Sequence, residues 1–182
     1  MKAAYYSVVA FPKLDNEAQI QRLRESFDTW SYQMRPFVPL VEPFVPMTMD
    51  ELQHVTDHVG LVRRRLHAFA VASFRCVERG DVLLLPIEQG RDKVVELHNT
   101  IHGGEALTIA GTGEYEPALW LGRVTDAAQR ATALVEANRI GRTLGVIDSL
   151  ALTRTTPDGE TKLVLVMPFG IGRVDLYDRF PA

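Results

Sequence analysis

The feature that most constrains this chain is a short motif written twice. Pro36-Phe37-Val38-Pro39-Leu40-Val41-Glu42-Pro43-Phe44 and Pro117-Ala118-Leu119-Trp120-Leu121-Gly122-Arg123-Val124 are both proline-led, strand-like runs, and they lie about 80 residues apart. The first follows a strand and a helix; the second precedes a helix and a hairpin. An imperfect repeat that occurs twice implies two lobes related by a pseudo-two-fold axis, since a solenoid would need three or more repeats. The length of 182 residues suits one such bilobal domain spanning residues 1–182. A chain of that size buries roughly 70% of its unfolded surface, enough for a core without staples.

Periodicity and turn signals supply the remaining elements. Ala4 to Phe11 reads as a core strand ending at Pro12. Asp15 or Asn16 caps a helix from Glu17 to about Phe27, with Ile20, Leu23 and Phe27 on one face. Asp50 caps a second helix whose Leu52, Val55, Val59 and Val62 recur at helical spacing up to Leu66. His67 to Glu78 alternates like a strand, Gly80 marks a turn, and Asp81 to Ile87 reads as a buried strand. A third helix starts at Asp92 and stops near the Gly103-Gly104 pair. Asp126 caps a fourth helix reaching Gly141, with Ala131, Leu134, Val135 and Asn138 around its buried side. Val146 to Thr155 and Lys162 to Phe169 close the chain as a hairpin about the Asp158-Gly159 turn. The expected fold class is α+β: two antiparallel sheets with helices on their outer faces.

Composition narrows the function. A net charge of −3 offers no global attraction to nucleic acid or anionic lipid, which argues against a nucleic-acid partner. No run approaches the roughly 20 apolar residues of a membrane span. The apolar start is too short for a signal peptide and leads straight into Pro12 and a charged helix. A single cysteine, Cys76, fits a reducing compartment, so the expected location is cytoplasmic. Cys76 sits in a strand-like run with no partnering base in view and reads as a packed thiol.

Taken together, Tyr5 to Pro12, Arg35 to Phe44, the central pair around Gly80, the second motif and the closing Ile147–Phe169 hairpin resemble the 2H phosphoesterase superfamily. That superfamily includes the 2'-5' RNA ligase-like proteins and cyclic phosphodiesterases. The resemblance covers nearly the whole chain and implies the bilobal fold. It also implies a His-x-Thr or His-x-Ser in each motif strand, one histidine acting as general base and the other protonating the leaving oxygen. Here those slots read Phe37-Val38-Pro39 and Ala118-Leu119-Trp120. General acid–base groups each contribute about 100- to 10,000-fold, and none of these side chains exchanges a proton. The family chemistry is therefore not expected of this chain, and no catalytic residue is assigned.

Residues i and i+2 of a strand share a face, so Phe37 with Pro39, and Ala118 with Trp120, should face the cleft between the lobes. A phosphate-binding groove would become an apolar one. Either it holds an apolar, aromatic or nucleotide-like small molecule, a base held by stacking for example, or Trp120 and Phe37 plug it, and the plug is the weightier of the two. Pro39 lacks an N–H, so its strand must be an edge or carry a bulge. Tyr115, Arg123 and Arg154 lie on or beside the bordering strands, the two arginines being the first suspects for any anionic group.

Other signals are weaker. His54 with His58, and His98 with His102, have helical i, i+4 spacing, but neither pair has a third ligand on its stripe, and no metal or cofactor is expected. Arg63-Arg64-Arg65 suits a helix C-terminus. Gly111-x-Gly113 lacks the context of a nucleotide fingerprint. The functional expectation is a catalytically silent, 2'-5' RNA ligase-like protein that acts through a remodelled groove. The alternatives are a phosphoesterase on 2',3'-cyclic or 2'-5'-linked nucleotides using other residues, and a structural partner protein with the groove filled.

Overall fold

The first strand and the closing hairpin, distant in sequence, pair into one sheet. The computed structural model describes residues 4–28, 31–103 and 114–177. Its elements begin with β1 (Tyr5–Ala10), β2 (Lys13–Leu14), α1 (Glu17–Phe27), β3 (Val38–Phe44) and α2 (Met49–Arg63). They continue with β4 (Phe69–Ser73), β5 (Val77–Arg79), β6 (Val82–Pro86), α3 (Arg91–His102) and β7 (Ala118–Arg123). The chain ends with α4 (Ala127–Ile140), β8 (Thr143–Ile147), β9 (Ser149–Thr155), β10 (Thr161–Pro168) and β11 (Asp175–Leu176). Gly104 and the Gly111–Gly113 loop lie outside the described residues.

The larger sheet has the order β11-β10-β9-β1-β3, and all its pairings are antiparallel. The second lobe uses two three-stranded pieces, β2-β8-β4 and β5-β6-β7, linked by an Ala72–Gln89 bridge. Side-chain alternation divides the large sheet into two faces. Tyr6, Val8, Leu150 and Leu152 belong to the main core, on which α2 and α3 pack. Val9 and Ala151 belong to a smaller cluster with Phe11, which turns toward the other lobe.

Several boundaries differ from the sequence reading. The expected strand from His67 to Glu78 is two, β4 and β5, and Val146 to Thr155 breaks at Asp148 so that β8 and β9 join different sheets. The cap of α2 is Thr48, whose hydroxyl accepts from the Glu51 N–H at 3.1 Å, so Asp50 sits within the first turn. Asn16 holds the cap position of α1 but turns its amide to the Thr143 hydroxyl. The buried face of α4 is Ala133 and Ala137, whereas Ala131, Val135 and Asn138 are exposed. This helix packs on α1, and small alanines allow the two to approach closely.

Arg63 does more than complement a helix dipole. It is buried, and its Nη1 donates to the carbonyls of Pro168, Gly170 and Gly172 at 2.7, 3.2 and 2.9 Å. The turn after β10 is thereby tied to the end of α2, while Arg64 and Arg65 stay at the surface. Hydrogen bonds to a charged group are worth about 1.5–3 kcal/mol each. Arg63→Ala should accordingly lower stability by about 2 kcal/mol or more in urea unfolding, and Arg64→Ala should leave the midpoint nearly unchanged.

Candidate functional site

Pro39 determines how the lobes meet. With no N–H to donate, it sits in β3, the edge strand of the large sheet, beside irregular register in the β1–β3 pairing. The outer edge of β3 faces β7, yet the two strands are joined by a single bridge, in which the Trp120 N–H donates to the Phe37 carbonyl at 2.7 Å. The Phe37 and Trp120 ring centroids lie 5.2 Å apart, and Phe37 meets Phe11 edge-on. Elsewhere side chains cap the β3 edge. The Tyr115 hydroxyl donates to the Pro39 carbonyl at 2.7 Å, and the Leu40 carbonyl accepts from His98 Nδ1 at 2.7 Å and from His102 Nε2 at 3.3 Å.

Beside this bridge a cleft of about 380 Å³ opens between the lobes. Its floor is the second face of the large sheet, with Ser7, Val9, Thr153 and Thr155; its apolar wall includes Met34, Phe37, Pro39 and Trp120. Phe37 and Trp120 pack on each other at the side of the space without filling it, so the expected plug does not form. Among the sequence candidates, Phe37, Pro39, Trp120 and Arg123 line this cleft. Arg123 is half-exposed, and its Nε is 3.1 Å from Asp81. Ala118, Tyr115 and Arg154 do not line it. Ala118 pairs with Pro86 at the start of β7. Tyr115 is turned to the Pro39 carbonyl, its ring stacked 3.8 Å from that of His98. Arg154 alternates with Thr153 and Thr155 and so lies on the opposite face of β9.

Two charged residues in the cleft wall escaped the sequence reading. Arg24 and Asp28, on and just after α1, are only 5% and 6% exposed and form an i, i+4 ion pair at 3.4 Å. The signal was present: Arg24 lies on the apolar stripe of α1, four residues after Ile20 and three before Phe27. Burial pushes the Arg24 pKa down, and Asp28 opposes that shift. Gly122 of β7 makes room for the pair, because a Cβ there would stand 2.6 Å from an Asp28 carboxylate oxygen and 2.9 Å from its Cβ.

The histidine pairs take structural positions. His58 Nε2 lies 2.9 Å from the Ile101 carbonyl and His54 is exposed, while His98 and His102 share one carbonyl. Cys76 is buried, and burial pushes its thiol up to about 12, which makes it a poor nucleophile.

Two outcomes follow from these packings. Gly122→Ala must displace Asp28 and should cost about 1–3 kcal/mol, the usual penalty of overpacking, read by thermal unfolding. Burial above all, with His102 adding repulsion, depresses the His98 pKa below its ordinary 6.5. The unfolded chain therefore binds this proton more readily. The contribution is fully present above about pH 6.5 and is lost as pH falls toward the folded value. A urea midpoint measured from pH 7.5 to 5 should fall over that window, and the fall should be shallower in His98→Gln.

No protein-family model matches the chain, and no curated protein matches its sequence. Solved structures do match its fold. Escherichia coli LigT complexed with 3'-AMP superposes with a TM-score of 0.63 at 8% identity, over 93% of this chain and 99% of that one. The protein TT0787 of Thermus thermophilus gives 0.61 at 16% identity, over 92% and 100%. Usb1 of Kluyveromyces marxianus gives 0.58 at 12% identity, over 91% and 97%. At these identities the shared property is the backbone arrangement, and it extends through both lobes. The chain thus has the 2H phosphoesterase fold that its doubled strand motif resembles.

Proposed function

We propose that this chain is a catalytically silent protein of 2H phosphoesterase fold that binds a small, flat, largely apolar ligand in the cleft between its lobes. The observation that carries this reading is the open cleft of about 380 Å³ with Phe37 and Trp120 in its wall. Ligand sites are typically concave and apolar with a few convergent polar groups, and their volumes start near roughly 300 Å³. From the two motif strands Phe37, Pro39, Trp120 and Gly122 line the cleft, and none of these side chains can move a proton. E. coli LigT has been crystallised with 3'-AMP, ATP and NADP+. A cleft that keeps an aromatic wall while losing its acid–base groups suits the ring of such a molecule better than its phosphate. With a net charge of −3 and a free, buried Cys76, the protein is read as acting on small molecules in a reducing, cytoplasmic setting rather than on nucleic acid.

The test uses Trp120 as reporter in a Trp30→Phe background, titrated with quinoline as a flat aromatic probe. Saturable quenching that disappears in Phe37→Ala supports the reading; absence of any saturable change overturns it. In parallel, a 2',3'-cyclic nucleotide should remain unhydrolysed. Turnover that vanishes on replacing His98 or His102 would instead establish an active phosphoesterase.

A further inference from the structure

We infer that the Arg24–Asp28 pair is the polar recognition element of the cleft, and that the ligand it selects is a flat, uncharged ring carrying a carbonyl next to an N–H, a cyclic amide. The inference rests on the cleft being a binding site and adds the class of ligand.

A buried ion pair offsets its desolvation only when its hydrogen bonds are short and complete. On the Arg24 side this one is neither. Arg24 reaches Asp28 through Nη2 and Gln21 through Nη1, both at 3.4 Å. Charge-assisted bonds are normally about 2.7–2.9 Å. Its Nε has no hydrogen-bond partner among the described residues although the atom is buried. A guanidinium carries five N–H donors, and unpaired buried donors are rare enough that each requires a cause. Here the under-bonded guanidinium lines the cleft of about 380 Å³. The backbone is also shaped around it: Gly122 leaves the space that Asp28 occupies, which even a methyl group would take away.

Charge decides the ligand class. The pair is neutral as a unit, so an anion entering beside Arg24 meets the Asp28 carboxylate, and a cation meets Arg24. A cyclic amide opposes neither. Its carbonyl oxygen accepts from the guanidinium while its neighbouring N–H donates to the carboxylate, which has about four lone-pair sites. The two groups sit side by side and locked cis by the ring, as a donor–acceptor pair in the wall requires. The flat body then lies against the Phe37 and Trp120 rings, whose faces favour stacking. Arg123 has a different character, since it is half-exposed and already within 3.1 Å of Asp81.

The test compares 2-quinolone with quinoline by calorimetry, two bicyclic rings that differ in the amide edge. The full chain should bind 2-quinolone about tenfold or more tightly, the range expected for hydrogen bonds to charged groups. In Arg24→Met/Asp28→Leu, where apolar side chains replace the pair, the ratio of the two affinities should fall to about one. Thermal melting checks that this variant folds, as replaced ion pairs commonly allow. Asp28→Asn provides a milder second variant, in which the preference should shrink. Equal affinity of the two rings for the original chain overturns the inference, as does a preference that survives in both variants. Tighter binding of quinoline-2-carboxylate than of 2-quinolone also overturns it, making Arg24 a counter-ion for an acid. If quinoline and 2-quinolone both fail to bind, the fault lies with the cleft as a binding site, and the inference falls with it.

Discussion

A missing hydrogen-bond donor organises this molecule. Pro39 cannot extend a ladder outward, so β3 ends the large sheet, and the opposing β7 is held by the Trp120–Phe37 bridge alone. A regular ladder between the two motif strands would zip the lobes into one continuous sheet and close the space between them. Side chains take the edge instead: Tyr115 on the Pro39 carbonyl, His98 and His102 on that of Leu40. The edge is satisfied without being extended, which both prevents it from pairing with another chain and keeps the cleft open.

Around that opening the chemistry is unevenly divided. One side is the hydroxyl-bearing face of β1 and β9, another is aromatic, and a third carries the buried Arg24–Asp28 pair. Phosphate-handling sites rely on exchangeable protons and multiple donors aimed at one anion. This cleft instead combines an ion pair that is neutral as a unit with aromatic and hydroxyl-bearing walls. The fold it shares with E. coli LigT supplies the two-lobed frame; the side chains set the character of the space within it.

Much of the frame was legible in the residues alone. The 3.6-residue spacing of Leu52, Val55, Val59 and Val62 identified α2, and all four are buried. The Asp126 cap of α4 is made as expected, its carboxylate accepting from the Gln129 N–H. Pro39 required its strand to be an edge or to carry a bulge, and β3 is an edge strand with a register shift beside Pro39. What misled were local signals that tertiary packing overrode. The alternation from His67 to Glu78 said nothing of a break between Ser73 and Val77, and the apolar residues of α4 did not reveal that its small alanines would meet α1. Ala118 and Trp120 share a strand face, yet along β7 the cleft is lined by Trp120, Gly122 and Arg123 and stops short of Ala118.

By itself the sequence determined the doubled proline-led run, most of the helix and strand succession, and that the strand at Pro39 is an edge or is bulged. These are properties of residue type and period, which act within a few positions of the chain. Only the tertiary structure decided that the Phe37 and Trp120 rings stand beside the cleft rather than in it, that Arg154 faces away, and that an arginine and an aspartate at the end of α1 enter the cleft wall, the aspartate against Gly122. Those outcomes depend on where separate elements cross and how much volume remains between them, and no local pattern in the chain encodes that volume.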